Sequence, residues 1–310
     1  MIREPGDRPR DRHASHGGCD GWHRAAPRAV PAVIPPGLIS FVGAGPGAAD
    51  LMTFRGADRL ARADVVVWAS SLVPAEVLDH ANPAAERHDS AGMTLEDVLE
   101  VYAGRPDAAI VRLHSGDPTV YGAIGEQIEW CRRTGRPYEI VPGVGSLGAA
   151  AAAVGCELTS PMVSQSIVLT RLAGGRTAAS MPDGETVASF ASHRTTMAVY
   201  LSTQRPEQLQ AELLADGKGY SVDTPAVVVA KATWPDERIV RTTVGELATE
   251  LRASGIRTAA LVLVGEALRD DREVQRTKLY DPAYSHGCRR RSAEGSTQGR
   301  PIPVEKRRLP

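Results

Sequence analysis

The stretch "FVGAGPGAADLMTFRGADRL", residues 41–60, has the pattern of a strand, a glycine-rich turn and a helix in succession. An apolar run of strand length ends at Gly43, and a helical pattern begins near Thr53. Buried strands that lead through glycine-rich turns into helices are typical of parallel α/β sheets. The stretch therefore predicts an α/β fold.

The same alternation continues along the chain. Apolar runs of strand length occur at 38–43, 64–68, 108–113 and 138–141, and helical segments occur near 54–62, 94–103, 121–133 and 145–154. Beyond residue 161, strand-like runs with fewer helices between them occur at 166–171, 196–202, 226–233, 237–244 and 259–265. The segment "TWPDERIV" (233–240) is typical of a turn between antiparallel strands. We therefore predict two α/β domains, a mostly parallel one over 37–158 and a mixed one over 159–270.

The two ends of the chain differ from the middle in composition. Residues 1–36 are rich in Arg, His, Pro and Gly without a period, and residues 285–310 are rich in Arg. Segments of this kind bury too little apolar surface to fold alone. Both are predicted to be disordered tails.

Charge and cysteine content limit the classes of partner and compartment. The chain has 36 basic and 37 acidic residues and a net charge of −1, so we expect neither nucleic acid nor a membrane surface as a partner. The small-apolar run 145–155 is too short to cross a bilayer. Four scattered cysteines and the lack of a signal-like apolar segment predict a cytoplasmic protein. The folded part has no Cys/His quartet with structural-zinc spacing, and we expect no metal site.

The first glycine turn leaves two interpretations open. Gly43, Gly45 and Ala48 match the spacing of the dinucleotide-binding template. However, Pro46 lies in the turn that should present amides to a pyrophosphate, and no ribose-binding carboxylate follows the strand 64–68. A nicotinamide-dependent oxidoreductase is therefore the weaker hypothesis. A tight turn that needs glycine for its backbone angles is the alternative.

A second motif, "VRLHSGDPTVYGA" (111–123), combines a turn with a possible ligand site. Asp117 precedes Pro118, and this pair predicts a helix N-cap followed by the first helical residue. Ser115 and Gly116 follow the carboxyl end of a predicted parallel strand, where open α/β sheets bind ligands. Asp117 can therefore be a helix cap alone, or a cap that also holds a ligand-binding loop in place, and the two roles are compatible.

Several side chains near strand ends and loops are candidates for binding an anionic substrate. Forked guanidinium groups suit carboxylates, and a histidine and a tyrosine flanking the second motif can donate hydrogen bonds, although either can equally be a satisfied structural group. The candidates are Arg55, Arg112, His114, Tyr121, Arg171 and Arg176.

Seven motifs taken in order carry a resemblance to a known family. They are "GAGPGAADLMT" (43–53), "ADVVVWASSLV" (63–73), "HDSAGMTLEDV" (88–98), "RLHSGDPTVYGAI" (112–124), "PGVGSLGAAAA" (142–152), "LTRLAGGRT" (169–177) and "VVVAKATWPDE" (227–237). Over roughly residues 38–268 the chain resembles the tetrapyrrole methyltransferases. The resemblance implies two α/β domains with S-adenosylmethionine (SAM) in the cleft between them, and a homodimer.

The resemblance also implies an activity and a set of binding residues. Within the family, the third, fourth and sixth motifs are most similar to enzymes that methylate C11 of precorrin-4 in cobalamin biosynthesis. The alternatives are a cobalt-bearing precorrin-4 as the substrate, methylation at another carbon, or another tetrapyrrole as the substrate. The carboxylates of such a substrate give the candidate arginines a purpose, and the transfer needs no metal. SAM is expected to contact Pro46, Ser115, Gly116, Asp117, Val120, Gly145, Ser146, Leu201 and Ala232. The resemblance also implies that Asp117 shapes the SAM pocket through its loop and transfers no proton; no catalytic residue is predicted.

Overall fold

The structure, a computed structural model, describes residues 34–174, 181–271 and 276–303. Its first half contains a five-stranded sheet in which every neighbouring pair of strands is parallel, in the order β3-β2-β4-β1-β5. The strands are β1 (Ile39–Gly43), β2 (Val65–Trp68), β3 (Glu86–Asp89), β4 (Ile110–His114) and β5 (Tyr138–Val141). The helices are α1 (Phe54–Ala61), α2 (Leu95–Ala103), α3 (Gly125–Thr134) and α4 (Ser146–Val154).

The first sheet is covered on both faces, as its continuous apolar strands predict. Val42 of β1 packs in one buried cluster with Leu60 of α1. Phe41, which points to the opposite face, packs in another cluster with Tyr102 of α2 and Ile128 of α3. The predicted α/β architecture of this half is confirmed.

Local sequence explains where these elements begin, with two exceptions. The Thr53 hydroxyl accepts a hydrogen bond from Gly56 N at 3.1 Å and starts α1, as predicted. The predicted helix at 121–133 begins only at Gly125, because Tyr121 and Ala123 have φ values of 55° and 51°, outside the helical region. Strand β3 was not predicted, because its sequence "ERHD" is polar and it lies at the edge of the sheet.

The second half contains a mixed five-stranded sheet in the order β6-β7-β10-β8-β9. Its strands are β6 (Ile167–Arg171), β7 (Thr196–Tyr200), β8 (Pro225–Ala230), β9 (Arg238–Thr243) and β10 (Ala260–Val264), and its helices are α5 (Val187–Ala191), α6 (Pro206–Leu214) and α7 (Leu247–Ser254). Only β6 and β7 pair in parallel; the turn at 231–237 joins antiparallel β8 and β9, as predicted.

The alanine-rich helix α4 follows the first sheet in sequence but packs on the second. Ala149, Ala150 and Val154 share a buried cluster with Val227 of β8 and Leu263 of β10. Small side chains allow the helix to approach the sheet closely. As a result, the start of α4 lies where loops of the two sheets meet.

The described part of the C-terminal segment contains two short paired strands, β11 (Arg289–Arg290) and β12 (Arg300–Pro301). Arg289 donates to the carbonyl oxygens of Asp281 and Leu279 at 2.7 and 3.0 Å. Composition alone predicts no such order here. Arg176, most of the predicted N-terminal tail and the last seven residues lie outside the described residues. Within the described part of the chain, no helix is long and apolar enough to cross a membrane.

Candidate functional site

Three loops that follow β1, β4 and β5 meet at the carboxyl edge of the first sheet, and glycines form their contact. A Cβ added to Gly143 would lie 2.1 Å from the carbonyl oxygen of Gly116, and one added to Gly43 would lie 2.5 Å from the Cα of Gly143. Gly116 also has a φ of +66°, which other residues rarely adopt. The loops therefore pack backbone against backbone, and larger residues would separate them.

Three amides of the first glycine turn, those of Ala44, Gly45 and Ala48, have partners within the protein. Those of Ala44 and Gly45 donate to carbonyl oxygens at the end of β4 and in the loop after it, at 2.8 and 3.3 Å. The amide of Ala48 donates to the Thr233 hydroxyl at 3.0 Å, and Pro46 has no N–H group. A dinucleotide-binding turn presents free amides to a pyrophosphate at a helix N-terminus. The geometry of this turn therefore disfavours a nicotinamide site.

Asp117 ties two of the three loops together. One carboxylate oxygen accepts from Thr119 N at 2.8 Å, and the other accepts from Gly143 N at 2.9 Å. Burial alone would raise the pKa of Asp117, but the hydrogen bonds from Thr119 and Gly143 outweigh it and hold that pKa below its usual value. The predicted helix cap is wrong, because residues 118–121 form a turn and α3 begins at Gly125.

Contacts across the two halves bring loops of the second sheet onto these three loops. Trp234 Nε1 donates to the carbonyl oxygen of Pro46 at 3.0 Å. Ser146, at the start of α4, donates to the Tyr200 hydroxyl at 3.2 Å. The ring of Tyr200 also lies 5.0 Å from the ring of Tyr121, measured between centroids. Loops of both sheets therefore meet in one region, which we call the cleft.

Backbone strain and exposed apolar side chains occur together in the loops of this cleft. Five non-glycine residues of its loops have φ between 50° and 69°: Tyr121, Ala123, Leu201, Lys231 and Thr233. Such residues cost about 1–3 kcal/mol each and cluster at ligand sites. Leu201 is 67% exposed and Val120 is 41% exposed. An apolar surface left open beside strained backbone indicates a binding site.

The residues predicted to contact SAM all lie in these loops. Gly116 lies against the start of α4, where an added Cβ would be 3.5 Å from Ser146 N. Trp234 connects the loop of Ala232 to Pro46, and Tyr200 connects the loop of Leu201 to Ser146. Buried members are Pro46, Gly116 and Ala232; exposed members are Ser115, Val120 and Leu201; Asp117, Gly145 and Ser146 are intermediate.

Two of the predicted substrate-binding residues, Arg112 and His114, lie on the face of β4 that packs against α2 and α3. Arg112 donates to the Ser90 hydroxyl at 2.7 Å, while its Nε is buried without a hydrogen-bond partner among the described residues. His114 packs against the ring of Phe41. Burial, assisted by the charge of Arg112, lowers the pKa of His114 to about 3, so the imidazole is neutral near pH 7.

The other substrate candidates occupy different positions. Arg171 ends β6 directly opposite Tyr200 in the strand register. Tyr121 lies against the ring of Tyr200, so Arg171 and Tyr121 both adjoin Tyr200 at the cleft. Burial raises the pKa of Tyr121, and the charge of Arg171 acts in the opposite direction. Arg55 is exposed in the first turn of α1, and Arg176 lies outside the described residues. Arg171 and Tyr121 are thus brought together, whereas Arg55 and Arg112 lie on other elements.

Sequence reasoning missed three residues of the cleft, Tyr200, Thr233 and Trp234. Each adjoins or nearly adjoins a residue expected to contact SAM, and Tyr200 ends a predicted strand. Trp234 could have been found from the sequence, because a tryptophan in a polar turn is unusual. No group of three or more His, Cys, Asp and Glu side chains that could hold a metal ion occurs in residues 34–174, 181–271 and 276–303.

A family model for tetrapyrrole (corrin/porphyrin) methylases matches residues 38–248. The chain belongs to the tetrapyrrole methylase family. This confirms the resemblance carried by the seven motifs and the fold that it implied. The match covers the first sheet and all strands of the second sheet except β10, and it ends in the first turn of α7.

Relatives of two kinds match the chain along most of their length. The cobalt-precorrin-4 C(11)-methyltransferase of Priestia megaterium is 45% identical over 254 residues, which cover 80% of this chain and 96% of that protein. The precorrin-4 C(11)-methyltransferase of a Sinorhizobium species is 41% identical over 255 residues, which cover 82% and 98%.

Solved structures agree with these matches. The X-ray structure of a cobalt precorrin-4 methyltransferase, a cobalamin biosynthetic enzyme, superposes with a TM-score of 0.71 at 44% identity, over 76% of this chain and 99% of that one. A uroporphyrin-III C-methyl transferase of Thermus thermophilus, complexed with S-adenosylhomocysteine, superposes with a TM-score of 0.61 at 30% identity, over 74% and 98%.

Proposed function

We propose that this protein uses SAM to methylate C11 of precorrin-4, giving precorrin-5 in cobalamin biosynthesis. The observation that carries this is the match, at 41–45% identity and over almost their whole length, to relatives named for methylation at C11. One of these is named for the cobalt-bearing substrate and the other is not. The metal state of the substrate is therefore a separate arm of the test.

The residues of the cleft fit SAM as the methyl donor. Its adenosine and amino-acid parts require apolar surface and backbone hydrogen-bonding groups. The exposed apolar side chains Val120 and Leu201 and the glycine-rich loops provide both. We assign the cofactor contacts to the nine residues already placed in these loops.

When bound, SAM supplies an electrophilic methyl group on a sulfonium sulfur. The electron-rich pyrrole system supplies the nucleophile, so the protein has to align carbon with methyl and exclude water. The carboxylate oxygens of Asp117 are engaged with the amides of Thr119 and Gly143. We therefore assign Asp117 to loop positioning, and no side chain of the chain to proton transfer.

The tetrapyrrole carries several carboxylates, which a near-neutral chain has to meet with local positive charge. Arg171 and Tyr121 at the cleft are the leading groups for this role. Arg55, Arg112, His114 and Arg176 complete the proposed set. His114 would act as a neutral hydrogen-bonding group, because its pKa is about 3.

The proposal extends to the assembly of the protein and its cellular location. We propose a cytoplasmic homodimer whose domains span 37–158 and 159–270. The transfer itself needs no metal, and neither nucleic acid nor a membrane takes part. Any cobalt belongs to the substrate.

The test is incubation of the purified protein with SAM carrying a carbon-13 methyl group and, separately, with precorrin-4, cobalt-precorrin-4 and uroporphyrinogen III. NMR of the product locates the new methyl carbon. A label at C11 supports the proposal, and the preferred substrate decides the metal state. A label at another carbon overturns the C11 assignment. If no substrate is labelled and NAD rather than SAM raises the melting temperature, the oxidoreductase hypothesis replaces it.

A further inference from the structure

The β8–β9 turn of the second sheet binds the first glycine turn on both sides of Gly47. Trp234 Nε1 donates to the carbonyl oxygen of Pro46 at 3.0 Å. The hydroxyl of Thr233, the preceding residue, accepts from the amide of Ala48 at 3.0 Å. Two adjacent residues of the β8–β9 turn therefore bind the backbone on either side of Gly47.

Gly47 itself makes room for this contact. A Cβ at that position would lie 2.1 Å from Cδ1 and 2.5 Å from Nε1 of Trp234, so the indole rests directly on the glycine backbone. Gly47 has an ordinary negative or extended φ, unlike Gly45 with its φ of +82°. Glycine is therefore needed at position 47 for space and not for backbone angle.

The turn that carries Trp234 is itself constrained. Lys231 and Thr233 have φ values of 50° and 69°. The amide of Thr233 donates to Glu237 at 2.7 Å, and Lys231 pairs with Asp236 while its Nζ lies 5.4 Å from the centroid of the Trp234 ring. Strained backbone persists only where surrounding contacts hold it. The turn is built to hold the indole in one place.

We propose that Trp234 and Thr233 are positioning residues that clasp the first glycine turn and thereby set the affinity for SAM. The inference rests on the proposed function. Pro46 and Ala232 are both assigned to the cofactor, and the clasp determines the separation of the loops that carry them. Loss of these two hydrogen bonds changes the separation of the two loops without removing a residue that contacts the cofactor.

Three variants test the clasp. Trp234→Phe keeps an aromatic ring but removes the N–H donor, Thr233→Val removes the acceptor at equal size, and Gly47→Ala drives the indole away. Trp130→Phe is the matched control, since Trp130 packs against Tyr102 in α2, apart from the clasp. Calorimetry with S-adenosylhomocysteine should show affinity about 2–10-fold weaker for Trp234→Phe and Thr233→Val, the usual effect of one lost hydrogen bond. The control should bind as the parent protein does.

A spectroscopic measurement separates positioning from general stability. Fluorine NMR of fluorotryptophan-labelled protein resolves the tryptophans, and comparison with Trp234→Phe identifies the Trp234 signal. That signal should shift when S-adenosylhomocysteine is added, while the Trp130 signal should not. Gly47→Ala should shift the Trp234 signal before any ligand is added.

The outcomes distinguish the clasp from the function on which it rests. A parent protein that does not bind S-adenosylhomocysteine overturns both. A parent protein that binds, with Trp234→Phe and Thr233→Val binding equally well, overturns the clasp alone, whatever their melting temperatures. If Gly47→Ala does not fold, these two variants still decide the question.

Discussion

Replacing Asp117 by Asn is the sharpest test of how the site is held together. The carboxylate accepts from two backbone amides in different loops, Thr119 N at 2.8 Å and Gly143 N at 2.9 Å. A side-chain amide has only one oxygen, so it can keep one of these bonds and must turn its own NH₂ toward the other donor. Asp117→Asn therefore disconnects the loop after β4 from the loop after β5, or loosens the turn at 117–119.

The structure allows the size of the effect to be estimated. A hydrogen bond to a charged acceptor contributes about 1.5–3 kcal/mol, but Thr119 and Asp117 are partly open to solvent, so we expect a loss of about 1–2 kcal/mol in the free energy of unfolding. That corresponds to a melting temperature lower by about 2–8 °C. SAM affinity should also fall, because Gly143 lies in the loop between β5 and α4, and this loop carries residues assigned to the cofactor. Turnover at saturating SAM should change little, because Asp117 is assigned no proton transfer.

The assay combines thermal unfolding, calorimetry with SAM and saturated turnover. The matched control is Asp97→Asn, because Asp97 accepts from Thr94 N at 2.9 Å within the capping box of α2 and joins no loops of the cleft. It should lose stability without losing SAM affinity. If Asp117→Asn abolishes turnover while stability and SAM affinity are unchanged, the carboxylate has a chemical role and the reasoning fails.

The same residue predicts a dependence on pH. Its pKa is lower in the folded protein than the unfolded value of about 3.9, so its contribution to stability is fully present above that value. The contribution is lost as the pH falls through the folded pKa. The stability difference between the parent protein and Asp117→Asn should therefore be constant at neutral pH and shrink below about pH 4. A difference that grows on acidification would contradict this sign.

Three further outcomes are expected. Gly116→Val, at a φ of +66°, should abolish SAM binding measured by calorimetry while the protein still folds; Gly135→Val, at a φ of +70° with open space around it, carries the same strain and should bind SAM normally. Arg171→Ala should raise the KM for the tetrapyrrole about 10–150-fold, as one lost charged hydrogen bond predicts, and leave SAM affinity unchanged; a collapse of SAM binding would move Arg171 to the cofactor. Removal of residues 1–33 should leave the melting temperature and methyl transfer unchanged, and a large drop in either would show that the segment belongs to the fold.

Much of the fold follows from local sequence. Continuous apolar runs predict the buried strands, because a strand covered on both faces needs no polar side. Thr53 marks the start of α1 through its hydroxyl, a short-range effect visible in the sequence. The polar strand β3 escapes the same reasoning, because an edge strand needs only its backbone pairing to β2.

Long-range contacts of the site could not be predicted in this way. Asp117 has the local pattern of a helix cap, yet its second oxygen is bound by Gly143, 26 residues away. That contact exists because β1 lies between β4 and β5 in the sheet. No single sequence motif predicts the order of the strands. Likewise, Trp234 lies 188 residues from Pro46, and nothing near either residue indicates the pairing.

The first glycine turn shows why residue spacing alone cannot assign a cofactor. Gly43, Gly45 and Ala48 satisfy a dinucleotide template, and in such a template the free amides of the turn do the binding. Here the amides of Ala44, Gly45 and Ala48 all donate to protein oxygens, so these three amides serve to hold the loops together. Its glycines let other backbones and an indole approach, and the cleft that results is formed jointly with the second sheet. The same spacing therefore does not identify a dinucleotide site unless the amides of the turn are free.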